Sequence, residues 1–144
     1  MTTVRQLLDK KGNDVWSTSP ESSVYDALLL LAEKNIGALV VIDEGELAGI
    51  VSERDYARKV VLQGKASMKT PVREIMTEEV LTVRPENSVE EAMALMTKKK
   101  IRHLPVTAEN EIVGVISIGD LVESIIAEQE IMINQLESYI SGKR

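Results

Sequence analysis

Three features of this 144-residue sequence predict a mixed α/β (α+β) fold in which two βαββα repeats pack about a pseudo-twofold axis and a C-terminal helix follows. Residues 15–62 align without a gap on residues 80–127, each position with the one 65 later. Within each copy, short β-branched runs alternate with stretches whose apolar residues recur at helical spacing. The core these patterns describe is aliphatic, because the chain has no Phe and only 3% aromatic residues beside 44% hydrophobic ones.

The repeat carries the strongest signal. Val15 matches Val80, Pro20 matches Pro85, Ser23 matches Ser88, Ala27 matches Ala92, Ile36 matches Ile101, Gly49 matches Gly114, Ser52 matches Ser117 and Asp55 matches Asp120. The identities fall at turns, on an apolar helix face and at a shared Ser/Asp pair, where chance matches would scatter.

Each copy opens on a short apolar strand, at Val15 to Thr18 and at Val80 to Val83, followed by a Pro-Glu turn. Ser23 to Asp26 and Ser88 to Glu91 read as capping boxes. Behind them Val24, Ala27, Leu28 and Leu31, and Val89, Ala92, Met93 and Met96, follow i, i+3, i+4, i+7 and give each helix one apolar stripe. Leu39 to Ile42 and Leu47 to Ser52 read as two strands joined by a tight turn at Asp43-Glu44-Gly45-Glu46; Leu104 to Thr107 and Ile112 to Ser117 repeat them. A second helix opens after Ser52 and after Ser117, carrying Val60 and Val61 in one copy and Leu121, Val122, Ile125 and Ile126 in the other. A further helix is expected around Val4, Leu7 and Leu8. In the tail, Ile125, Met132 or Ile133, Leu136 and Ile140 share one side of a continuing helix and need a covering surface. The expected boundaries are an N-terminal segment at 1–14, a first repeat at 15–62, a linker with a lead-in strand at 63–79, a second repeat at 80–127 and a helical tail at 128–144.

Composition excludes several functions. A formal charge of −6 argues against nucleic acid as a partner, since that affinity rests on clustered Lys and Arg. With no Cys there is no disulfide framework, no Cys-ligated zinc and no thiol nucleophile, and one His cannot make a zinc site by itself; no metal is expected. No run approaches the ~18 apolar residues of a membrane helix and Met1 to Asp9 lacks a signal-peptide stretch, so a cytoplasmic location away from membranes is expected.

Gly49-Ile50-Val51-Ser52-Glu53-Arg54-Asp55 and Gly114-Val115-Ile116-Ser117-Ile118-Gly119-Asp120 resemble the ends of CBS motifs. Met76-Thr77 ahead of Val80-Leu81-Thr82-Val83, and Ile101-Arg102-His103-Leu104-Pro105-Val106, extend the likeness over almost the whole chain, which is similar to bacterial stand-alone tandem CBS (Bateman) modules. The resemblance implies two related clefts between the repeats where AMP, ADP, ATP, NAD(H) or S-adenosylmethionine can sit, with Ser52/Asp55 and Ser117/Asp120 on sugar and phosphate and Pro105 among the lining residues. It also implies a homodimeric disc. No obligatory cofactor is expected.

The chemistry of these residues agrees with that role. An ionised carboxylate only accepts, and a ribose diol offers two adjacent donors, so Asp55 or Asp120 can take both hydroxyls. A Ser at a helix start stands beside free N–H groups at the positive end of the dipole, which suits phosphate. The competing reading is that Ser-x-x-Asp is a capping box open to any helix; its duplication within the motif favours the nucleotide. Arg54 and Arg102 can grip phosphate, against a surface ion pair as the plainer role. Lys98, Lys99 and Lys100 before Arg102 read as a solvated helix end. His103 is expected to be packed or phosphate-neighbouring rather than catalytic. Ile36-Gly37-Ala38 offers short residues where adenine can approach the backbone, while Ile101-Arg102-His103 makes the other cleft more basic. Thr77, Val80 and Leu81 are expected to line one cleft, Val15 and Trp16 the other, with Trp16 either stacking on a base or filling the core.

Three functions compete: a nucleotide-sensing regulator acting on a separate partner protein or its own oligomer, an enzyme, and a structural protein with degenerate sites. The absence of a nucleophile–base pair or Gly-rich phosphate loop disfavours the enzyme. The intact Ser/Asp pairs disfavour the third.

Overall fold

The computed structural model describes residues 2–141; residue 1 of the expected N-terminal segment and residues 142–144 of the expected tail lie outside them. The chain forms two compact units, one of residues 15–81 and one assembled from the N-terminal residues up to Asp14 together with the chain from Thr82 onward.

In the unit of residues 15–81, β1 (Ser17–Thr18) pairs in parallel with β2 (Ala38–Asp43), which pairs antiparallel with β3 (Glu46–Ser52). The hairpin turns through Glu44 and Gly45, both at positive φ (50° and 81°), the backbone a tight hairpin with the native twist requires. Helix α2 (Val24–Lys34) starts at Ser23, whose hydroxyl accepts from the Asp26 N–H, and ends at Asn35 in the left-handed conformation. Its predicted stripe is buried at Val24, Ala27 and Leu31 and packs with Leu39, Val41, Val51, Val60, Val72 and Ile75. The expected second helix is one turn, α3 (Glu53–Tyr56), that widens into a π-turn at Ala57–Val61. That widening leaves Val60 buried and Val61 more than half exposed.

The other unit repeats the plan. Helix α4 (Val89–Lys99) has the complete capping box, Ser88 and Glu91 each accepting from the other's backbone N–H. Strands β4 (His103–Ala108) and β5 (Glu111–Ser117) form the hairpin, turning through Glu109 and Asn110 at positive φ, with a bulge after Val106 that mirrors the one after Val41. The expected strand at Val80 to Val83 shrinks to one parallel bridge, Val83 to Val106. Helix α5 (Ile118–Ile140) is continuous from the second repeat through the tail. Leu121 is buried and Ile125 packs on the core, but Met132, Leu136 and Ile140 are mostly exposed, so the tail does not fold back over its own unit.

The boundaries differ from a simple reading along the chain. Residues 63–79 do not form a free linker: Thr70 is buried, residues Val72–Glu74 make a 3₁₀ turn, and Val72 and Ile75 sit in the core of residues 15–81. Likewise α1 (Val4–Lys11), capped by Thr3 with Gln6, sends Val4, Leu7 and Leu8 into the core built from the second repeat.

Each lead-in segment presses on a glycine. A Cβ on Gly49 would lie 2.8 Å from the Thr77 carbonyl oxygen, which is fixed because Thr77 and Ile50 exchange both backbone hydrogen bonds. A Cβ on Gly114 would meet only the Leu8 side chain, at 2.7 Å, and that side chain can rotate. Gly49→Ala is therefore expected to destabilise by about 1–3 kcal/mol and Gly114→Ala by distinctly less. Urea unfolding checks the ranking, and equal midpoints would contradict it.

Candidate functional site

The two Ser/Asp pairs sit at the starts of α3 and α5, each directly after the second strand of a hairpin. Strand register places Ala38 opposite Ser52 and His103 opposite Ser117. The carbonyls of Gly37 and Arg102 accept from the first helical N–H groups, those of Glu53 and Ile118. Pairing and capping together therefore bring Gly37, Ala38, Ser52 and Asp55 to one place, and Arg102, His103, Ser117 and Asp120 to its counterpart.

Both pairs are capping boxes. The Ser52 N–H donates to Asp55 Oδ2 at 2.9 Å and the Asp55 N–H to Ser52 Oγ at 3.2 Å; the corresponding distances for Ser117 and Asp120 are 2.8 and 3.2 Å. A carboxylate has about four acceptor positions, so the cap leaves room for other donors. Those donors differ. Asp55 Oδ2 also accepts from the Ser52 hydroxyl, and its Oδ1 lies 3.2 Å from Lys59 Nζ, one helical turn along. Asp120 Oδ2 accepts at 2.5 Å from Lys11 Nζ, which arrives on α1 and also donates to the Val115 carbonyl at 2.6 Å.

Arg54 and Arg102 are exposed and make no ion pair among the described residues, which leaves their guanidinium groups available. Lys98 and Lys99 close the last turn of α4, and Lys100 is its left-handed cap, as expected of a helix end. Ile36 is partly buried and Ala38 buried. Thr77 lies at the surface, bridged to Ile50 within the unit of residues 15–81, and Val80, three residues on, is partly buried. Pro105 is buried within β4, paired with Val115. Trp16 is not in the core: it is 37% exposed, with Lys34 Nζ 4.1 Å from its ring centroid, a cation–π contact.

His103 has its pKa lowered, first by burial and then by the positive charge of Lys11; Asp120 opposes the shift and Arg102 adds to it. A histidine held below its unfolded value of about 6.5 contributes stability above that pH and loses it as the pH falls toward the folded value. Thermal melts between about pH 5 and 8 should show a loss on the acid side that His103→Gln reduces. Coincident profiles would show that His103 is not responsible.

The residue missed from sequence is Lys11; the segment that carries it, though not Lys11 itself, has a match elsewhere in the chain. Thr2-Thr3-Val4-Arg5-Gln6-Leu7-Leu8 matches Thr70-Pro71-Val72-Arg73-Glu74-Ile75-Met76 at an offset of 68, not 65. The structure uses the two segments alike: Val4 donates to Asn87 and Val72 to Ser22, and Arg5 pairs with Glu86 as Arg73 pairs with Glu21.

Known proteins share these features. The CBS domain family matches residues 4–62 and 72–127. CBS domain-containing protein CBSX3, mitochondrial, of Arabidopsis thaliana is 42% identical over 98% of this chain and 73% of its own length. A solved CBS-domain protein of Burkholderia ambifaria MC40-6 is 53% identical, with a TM-score of 0.86 over 89% of this chain and 96% of its own. The CBS domain pair of protein MJ0100, solved in complex with 5'-methylthioadenosine and S-adenosyl-L-methionine, is 27% identical with a TM-score of 0.79, over 89% of this chain and 98% of its own. Two family matches on the two repeats, with strands and caps where the motifs place them, establish that this chain belongs to the CBS-domain family and carries a tandem CBS pair.

Proposed function

We propose that this CBS pair is a regulatory module that senses an adenine nucleotide, AMP, ADP, ATP or NAD(H), and does not turn it over. The observation that carries the reading is the duplicated Ser/Asp pair. In both copies a carboxylate with spare acceptor capacity stands beside a serine at a helix start, on a strand end whose neighbouring backbone an adenine can approach. The adenosine-derived ligands of the related MJ0100 pair support the same ligand class. Exposed Arg54 and Arg102 supply the phosphate contacts in this reading, and the second-repeat site, with Arg102 and His103, takes the more highly charged end. The ligand acts through a separate partner protein or through a homodimer, in the cytoplasm, where such nucleotides are met.

Calorimetry and thermal shift with each nucleotide and with S-adenosylmethionine, followed by product analysis after long incubation, test this. Saturable binding without product supports it. Absence of binding overturns it, and product formation replaces it with an enzyme.

A homodimer is part of the reading. No helix among the described residues is long and apolar enough to cross a membrane. The apolar side chains of Ile131, Met132, Ile133, Leu136, Tyr139 and Ile140 are each more than half exposed, and in this reading a second copy of the chain covers them.

A further inference from the structure

We propose that Lys11 is a counter-ion gate that makes the second-repeat site selective for phosphorylated over unphosphorylated adenosines. The inference rests on the nucleotide reading and goes beyond it by naming a selectivity residue outside the CBS motifs.

Lys11 Nζ sits on the same Oδ2 of Asp120 that caps α5, held there by a second bond to the Val115 carbonyl. A ligand ribose at Asp120 therefore meets a carboxylate already neutralised by an ammonium. A ligand without phosphate must compete with that ion pair and offers Lys11 nothing in exchange. A phosphate offers a second anion, so Lys11 can leave Asp120 and stay paired while the diol takes its place.

The surroundings allow the movement. Lys11 is 39% exposed and ends a helix, and it lines a groove of about 540 Å³ between α1 and α5, within the size range of small-molecule sites. Thr2 contacts Glu128 while Lys11 contacts Asp120, so the two helices run antiparallel, with Lys10 and Lys11 beside the positive end of α5. The dipole and the two lysines favour an anion at that end of the groove, opposed by the carboxylates of Asp120 and Glu123 that line it as well. The same position of Lys11 contributes, after burial, to the lowered pKa of His103.

The other copy lacks this arrangement. At the 68-residue offset the counterparts of Lys10 and Lys11 are Glu78 and Glu79, and Asp55 takes its lysine from its own helix, a turn away. The gate is thus a property of one site.

The test uses the full chain in an Asp55→Ala background, so that the second-repeat site dominates, with AMP and adenosine titrated by calorimetry. Lys11→Ala is expected to weaken AMP about tenfold or more and to tighten adenosine about threefold. Opposite signs separate a gate from a simple phosphate contact such as Arg102, whose removal should weaken AMP alone. Lys11→Arg should keep the preference for AMP. If Lys11→Ala changes both ligands in the same direction, or neither, the gate is refuted while the nucleotide site stands. If Asp55→Ala protein binds neither AMP nor adenosine, and the unaltered chain does not either, both readings fall. A check free of ligand comes from the chain's single histidine: NMR titration of its one imidazole signal should show a higher pKa in Lys11→Ala, and an unchanged value would remove Lys11 from the site and overturn the gate.

Discussion

Replacing Asp55 and Asp120 together by Ala is expected to abolish the proposed nucleotide binding while leaving the two units folded. Each loss removes a charged acceptor, at about 1.5–3 kcal/mol, or roughly 10- to 150-fold in affinity at each site. The same carboxylates close capping boxes, so the alanine variants also weaken α3 and α5, by about 0.5–2 kcal/mol per cap. The Asp55→Asn, Asp120→Asn double variant separates the effects. Its amide oxygen can still accept from the Ser52 and Ser117 N–H groups, but it brings no charge to a ribose or to Lys11 and Lys59. Circular dichroism should show both double variants folded, and calorimetry should show both impaired in binding. Unchanged affinity in the alanine pair would sink the ribose assignment.

Ending the chain near Ala127 is expected to convert the proposed dimer to a monomer. Full-length protein should scatter light as twice 15.9 kDa, and the shortened chain as a single copy. The helix leaves its own core after Ile125, and Met132, Leu136 and Ile140 beyond it are 57%, 56% and 82% exposed. Side chains of this kind contribute about 1.5–3 kcal/mol each when fully buried. Even partial burial of three per protomer, counted twice by symmetry, changes a dimer constant by about 1,000-fold or more. Because nothing before Ala127 in α5 is removed, the fold of the second repeat provides the internal control. A monomeric full-length chain refutes the dimer, and a shortened chain that still dimerises fully confines the tail to a minor role.

The repeat was legible because the chain can be compared with itself, and the stripes of α2 and α4, the hairpins and the caps at Ser23, Ser88, Ser52 and Ser117 because each depends only on residues close in sequence. The motif that carries the site was legible for the same reason: Ser52 and Asp55, like Ser117 and Asp120, are three residues apart on one helix start. What tertiary structure decided was partnership. Periodicity says that Val4, Leu7 and Leu8 need burial, but not that they join Val89, Leu104 and Leu121 from the second repeat, or that Val72 and Ile75 return to the first. Trp16 was ambiguous for the same reason, and only the structure places it at the surface under Lys34. Lys11 reaches Asp120 across 109 residues of chain, and only the docking of α1 on that core brings the charges together. A local pattern fixes which face of an element is apolar, whereas the core that receives that face is chosen by shape and volume among all the surfaces the chain offers.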